Sequence, residues 1–174
     1  LTGCTDYAEL YDQNTFVVNK KGNVIEVSVE DFKDSSVDAD GLTSYVTDQV
    51  DTYNNEDGER IKMESINTED MGHVKLVLSY EDLESYNAFN LLDYSLMDIS
   101  EIQESDLTGS FTSAENIKTS PADIIAEEKC KVLTVSEATD VIVKGEILYY
   151  NDEVTVHDGV AATSGKKNAI IVFK

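Results

Sequence analysis

Two cysteines, two histidines and 35 carboxylates are the residues of this 174-residue chain that have chemistry to offer, and their spacing decides how much of it is available. Asp38-Ala39-Asp40-Gly41 has the form of the centre of a calcium loop. In that register Ser36 would be the first ligand and Thr47 the last, where a bidentate Glu is required. Capping of a helix by Asp38 or Asp40 accounts for the same residues. His73 and His157 lie in different halves of the chain, neither with a Cys or a second His at ligand spacing, so zinc has no visible site. From Gly159 to Gly165-Lys166-Lys167 the spacing is one residue too long for a phosphate-binding loop, and Lys167 stands where Ser or Thr should hold magnesium. A Ser–His–acid set assembles in space rather than in sequence, but no Gly-x-Ser-x-Gly elbow marks a nucleophile. Glu81, Asp82 and Glu84 fall in a first helical turn, where the dipole favours acids. A glycosidase pair would need one acid in an apolar pocket and a sugar-stacking platform, and the chain has no Trp. The expectation is no assigned catalytic residue, no metal site and no cofactor.

The remaining candidate is a thiol. Leu1-Thr2-Gly3-Cys4 places an apolar residue and two small ones ahead of a cysteine. This pattern, a lipobox, resembles the end of a bacterial lipoprotein signal peptide. Small residues let the scissile bond enter the signal peptidase, and only a thiol forms the thioether to diacylglycerol. Cys4 is thus the expected lipid attachment residue. Two or three acyl chains there would anchor firmly where one would hold marginally. No other stretch of the sequence is apolar for long enough to span a bilayer. Cys130, in Lys129-Cys130-Lys131-Val132-Leu133, opens an apolar run and reads as a buried small hydrophobe. With Cys4 acylated it has no disulfide partner, so stability must come from the core.

The formal charge is −22. Residues 1–60 hold 14 acids and 4 bases, residues 61–120 hold 12 and 3, and residues 121–174 hold 9 and 6. Arg60 is the single Arg. Nucleic acid is excluded as a partner, because binding it requires Lys and Arg to neutralise phosphates. The same charge repels anionic headgroups, so a lipid-held chain would project away from its own membrane. Divalent cations or basic peptides are the ligands such a surface could attract.

These residues must be positioned by a mixed set of elements. TFVVN at 15–19 and VIEVSV at 24–29 flank Lys20-Lys21-Gly22-Asn23 as a hairpin, with Val24, Glu26 and Ser28 on the wet face and Ile25, Val27 and Val29 on the dry one. Leu42, Tyr45, Val46, Val50 and Tyr53 have helical spacing over about 40–54. Strands are predicted at 61–66 and 74–80. A second helix runs from about Tyr80 to Leu91, opened by Ser79 and Asp82 as a capping box. Leu92, Leu96, Ile99 and Ile102 suggest a short third helix, Ser110-Phe111-Thr112 a strand, and Ser120-Pro121-Ala122-Asp123 a helix start. Six strands follow after Lys131, separated by the turns Lys144-Gly145, Asn151-Asp152, His157-Asp158-Gly159 and Ser164–Asn168, all read as hairpins. In Tyr149-Tyr150 one ring should be core and the other exposed, where it could anchor a partner. The fold class is α+β: antiparallel sheets, two to three helices in the N-terminal two thirds, and an all-β meander at the C-terminus. Residues 1–14 read as lipobox and tether, 15–130 as an α+β lobe, and 131–174 as a β-rich lobe packed on it in one unit.

VEDF at 29–32, YNAF at 86–89, VIVKGEILYYNDEVTV at 141–156 and the ending AIIVFK, together with the lipobox, resemble a group of small secreted lipoproteins of Gram-positive, clostridial-type bacteria. That resemblance implies location at the extracytoplasmic face of the cell membrane and carries over no activity. The functional expectation is a lipid-anchored, non-catalytic binding or cell-envelope module whose antiparallel sheet surfaces, rather than a cleft, meet a protein or cationic ligand. Its rivals are a carboxylate-based envelope hydrolase and a capture protein for divalent cations or basic peptides.

Overall fold

The computed structural model describes residues 5–174. Within the stretch read as a tether, residues Tyr7–Leu10 form a one-turn helix, α1, capped by Asp6. The first hairpin is present: β1 (Thr15–Asn19) pairs antiparallel with β2 (Val24–Glu30), Val18 opposite Val24. Asn19 shapes its turn, its Oδ1 accepting from the backbone N–H of Lys21 at 2.9 Å and of Asn23 at 3.0 Å. Then come α2 (Ala39–Asp57), β3 (Ile61–Asn67), β4 (Val74–Tyr80), α3 (Leu83–Asn90) and β5 (Ser95–Asp98). The remainder is β6 (Phe111–Ser113), β7 (Lys118–Thr119), α4 (Pro121–Ile125), β8 (Lys131–Val135), β9 (Asp140–Lys144), β10 (Ile147–Asn151), β11 (Val154–His157), β12 (Val160–Thr163) and β13 (Ala169–Phe173).

The strands form two sheets. The first has seven, in the order β11-β12-β9-β1-β2-β4-β3, and the second six, in the order β5-β8-β13-β10-β6-β7. Among the described residues every strand pair is antiparallel except β1 with β9. The fold is α+β, with its helices mainly in the N-terminal part and a run of strands at the C-terminus. Strands from both sides of residue 130 enter both sheets: β9, β11 and β12 join the first, while β5, β6 and β7 join the second.

Local differences from the sequence expectations have physical causes. Asp82, not Ser79, caps α3, accepting from the Ser85 N–H at 2.7 Å. Ser79 stays in β4, opposite Lys62 of β3 and Ile25 of β2, because two partner strands satisfy its backbone. Leu96 and its neighbours form β5 rather than a helix, since β8 lends its edge to Ser95–Asp98. Two 3-10 turns, Ile99–Glu101 and Glu104–Asp106, follow. Of the four C-terminal turns, His157–Gly159 closes a hairpin, β11–β12. The other three carry the chain from one sheet to the other. At Gly145, one of these corners, a Cβ would lie 2.5 Å from the Lys174 carbonyl oxygen.

One face of β1, β9, β11 and β12 packs on the second sheet, so that Phe16, Val141, Val154 and Ala161 share a core with Leu133, Val135, Ala169, Ile171 and Phe173. The opposite face of the second sheet buries Val132, Ile170 and Val172 against Ile99, Leu107, Ile124 and Cys130. Strands β8 and β13 are therefore covered on both sides. Over β2, β4 and β3, α2 and α3 take the place of the second sheet. The reverse face of β4 receives α1: Lys75 donates to the Ala8 carbonyl at 2.5 Å and to Asp12 at 2.7 Å.

Candidate functional site

A groove of about 520 Å³ runs between the N-terminal half of α2 and the first sheet. Its floor is Ser28 and Glu30 of β2, Ile66 of β3, and Val74 and Leu76 of β4. Gly41, Leu42, Tyr45 and Val46 of α2 form the wall, and Phe32 and Val37 close one end. The volume falls inside the range of small-ligand sites, about 300–1,000 Å³. Ser28 and Gly41 leave this space open where larger side chains would fill it. A Cβ at Gly41 would crowd the cap, sitting 3.0 Å from Asp38 Oδ1, which accepts the Gly41 N–H at 2.7 Å. Tyr45 stands at the mouth, 62% exposed. Further along α2 a second hollow of about 380 Å³ shares Tyr45, Val46 and Leu76 with the groove and adds Gln49, Thr52, Tyr53, Glu56, Leu78 and Phe89.

The helix that walls the groove is held mainly at its ends. Only Leu42 and Val50 of α2 are buried. Thr43 and Thr47 donate their hydroxyls back to the Ala39 and Thr43 carbonyls at 3.0 and 2.8 Å, a habit that weakens helices slightly. At the C-terminal end Asn54 acts as a latch. Its Oδ1 accepts from the N–H of Arg60 and Ile61, both at 3.0 Å, and its Nδ2 donates to the Ile61 carbonyl at 2.8 Å.

Beneath α3 lies a buried polar cluster. Tyr80 donates its hydroxyl to Glu26 Oε1 at 2.9 Å, and Asn90 donates to the Tyr80 oxygen at 3.1 Å. Burial pushes the Glu26 carboxyl above its ordinary value of 4.5, against the opposing pull of the Tyr80 hydrogen bond. Burial likewise raises Tyr80 and Tyr86, with the Glu26 charge adding to both, and it pushes Tyr94 up to about 12. Glu26 also lines a small pocket of about 160 Å³ that Glu137, Tyr86 and Tyr94 share.

The residues singled out in the sequence are dispersed. Cys4, the expected lipid attachment residue, lies outside the described residues. Cys130 is 1% exposed, and burial raises its thiol pKa. Asp38 caps α2, and Thr47 turns its hydroxyl to its own helix, so the calcium-loop register has no converging ligands. Among the described residues no group of three or more His, Cys, Asp or Glu side chains could hold a metal ion. His73 sits in the turn before β4, its N–H donating to the Asp70 carbonyl at 2.9 Å. His157 ends β11 beside Asp158 at 3.2 Å. Glu81 and Asp82 meet Arg60 at 3.2 and 3.6 Å. Neither ring of Tyr149-Tyr150 is a free anchor. Tyr149 packs in the core beyond the second sheet and donates to Glu127 at 2.6 Å, while Tyr150 packs in the core between the sheets.

Sequence reasoning missed Glu26 and the groove. It placed Val24, Glu26 and Ser28 on the wet face, whereas this face of β2 lies under the helices. The signal was Val24, an apolar residue of the same parity as Glu26. No protein-family model, curated protein or solved structure matches the chain. No helix of the described residues is long and apolar enough to cross a membrane.

Proposed function

We propose that this chain is a lipid-anchored extracytoplasmic binding protein, held to the membrane through Cys4 and binding its ligand in the α2 groove. The observation that carries the binding half is the groove itself: an open space of ligand size, lined almost wholly by apolar side chains, on a chain otherwise dominated by carboxylates. Its placement fits an anchored protein. The first described residues lead into α1 on one face of the first sheet, and the groove lies on the opposite face. A tether leaving from α1 would hold the groove away from the bilayer, towards soluble or surface-bound partners. Confinement at the membrane raises the effective concentration of the groove for such neighbours.

Two experiments test the two halves. Cys4→Ser in the protein expressed with its natural upstream sequence should move it from the membrane fraction to the medium and abolish labelling by a radioactive fatty acid. Retention at the membrane with labelling intact would remove the anchor. A neutral solvatochromic dye, Nile red, should bind the purified chain, and Ser28→Phe, which fills the groove without changing charge, should displace it.

The rival hydrolase reading has one observation in its favour, the raised carboxyl of Glu26 in a pocket with Glu137. That pocket is about 160 Å³, half the lower limit of ordinary ligand sites at about 300 Å³. The Tyr80 hydroxyl also occupies the carboxyl. The binding reading is the better supported.

A further inference from the structure

Resting on the groove reading, we propose that the occupant is a basic amphipathic peptide segment, seated as a helix with its apolar stripe against Tyr45, Val46 and Leu76 and its cations over the acidic rim. Two features of the groove and its surroundings select this class. Inside, polar groups are scarce: apart from Tyr45 at the mouth, Ser28 and Glu30 are the only polar side chains lining it among the described residues. A small polar ligand is oriented by several converging hydrogen-bonding groups, and these are missing from the lining. Outside it, charge is abundant and spread. Residues 30–73, which supply α2, β3 and the connections that frame the groove, carry 13 acids and three bases. Two of those bases are already engaged, Arg60 by Glu81 and Asp82 and Lys62 by Glu64 at 3.4 Å. The helix α2 contains Asp40, Asp48, Asp51, Glu56 and Asp57 and no Lys or Arg.

Distributed negative charge around an apolar trough complements a ligand with distributed positive charge around an apolar ridge. That is the helix-in-groove mode, read by side chains spaced three and four apart. Further along the same side of α2 the second hollow continues the groove past Tyr45 towards Tyr53 and Phe89, with Gln49, Thr52 and the acid Glu56 at its border, so a ligand helix has more than one turn of surface to follow. The acids would raise the association rate and its dependence on ionic strength, while the trough would set residence time.

The test uses the full chain and three labelled peptides of about 18 residues, five helical turns: a Leu/Lys amphipathic helix, its Leu/Glu counterpart, and a Gly/Ser/Lys peptide of the same positive charge without an apolar stripe. At about 0.15 M salt, where the Debye length is about 8 Å, the Leu/Lys peptide should bind at least about tenfold tighter than either other. Ser28→Phe should weaken it about tenfold, and Tyr45→Ala, at an exposed residue whose loss leaves the core intact, by severalfold. Both variants keep the charge, and circular dichroism should be unchanged. Equal binding of the two basic peptides, or indifference to both substitutions, would reduce the effect to bulk electrostatics and overturn the proposal. Preference for the Leu/Glu peptide would overturn the partner class. If no peptide binds while Nile red still enters and is displaced by Ser28→Phe, the proposal fails and the groove reading stands. If the dye also fails to bind, both fall.

Discussion

Replacing Glu26 by Gln separates the two consequences of its burial. The carboxyl accepts a hydrogen bond from Tyr80, which Gln can still accept through its Oε1, but it also carries a charge beneath α3 that burial disfavours. Below pH 4.5 the group is protonated in both folded and unfolded chains. As the pH rises through 4.5 the unfolded chain loses its proton first, so stability falls until the raised folded-state pKa has been passed. Glu26→Gln should therefore raise Tm at pH 7–8 and flatten this decline. An increment of about 1 kcal/mol would shift Tm by about 2–4 °C in a domain this large. Thermal melts from pH 4 to pH 8 on both proteins check the sign. A variant less stable than wild type at neutral pH would show that the ionised carboxylate supports the fold. An activity on cell-envelope material lost in the same variant would restore the hydrolase reading.

At the scale of elements, α2 depends on its ends more than on its middle. Asn54 spans the helix terminus and the start of β3 with three hydrogen bonds. Asn54→Ala should destabilise the protein by about 1–3 kcal/mol, because two backbone N–H groups and one carbonyl lose their partner. Asp38→Ala removes a single capping bond and should cost about 1 kcal/mol. Urea titrations measure both, and a larger loss at Asp38 would reverse this ranking. The sequence made such elements legible wherever the signal was local. The first hairpin, α2 with its aspartate cap, and the positions of the last six strands follow from spacing and turn residues. It failed where a distant partner decided. Leu96 became strand because β8 offered an edge, and Lys144-Gly145 became a corner because β10 found β13 and β6 instead of β9. The groove was invisible for the same reason: its floor and wall come from β2, β3, β4 and α2, and nothing in one segment announces the gap between them.

Across the whole molecule, like charges repel one another. A net charge of −22 on 174 residues strains the folded state. Raising NaCl from about 0.01 M to about 1 M shortens the Debye length from about 30 Å to about 3 Å. Tm should rise by several degrees over that range, most of it at the low end. A flat or falling Tm would mean that ion pairs such as Lys75–Asp12 and Lys131–Asp98, both at 2.7 Å, outweigh the repulsion. The exposed carboxylates of these pairs keep each of them weak.

The parallel contact between β1 and β9 joins Thr15 to Asp140 and Asn19 to Lys144. During synthesis the first hairpin emerges from the ribosome long before its neighbour exists. Until residue 144 is out, Phe16, Val17 and Val18 line a bare strand edge that no later segment has yet covered. That interval, about 120 residues of synthesis from Asn19 to Asp140, leaves the nascent chain open to a chaperone or to a wrong strand. Closing so long a loop also makes the final docking of β9 slow.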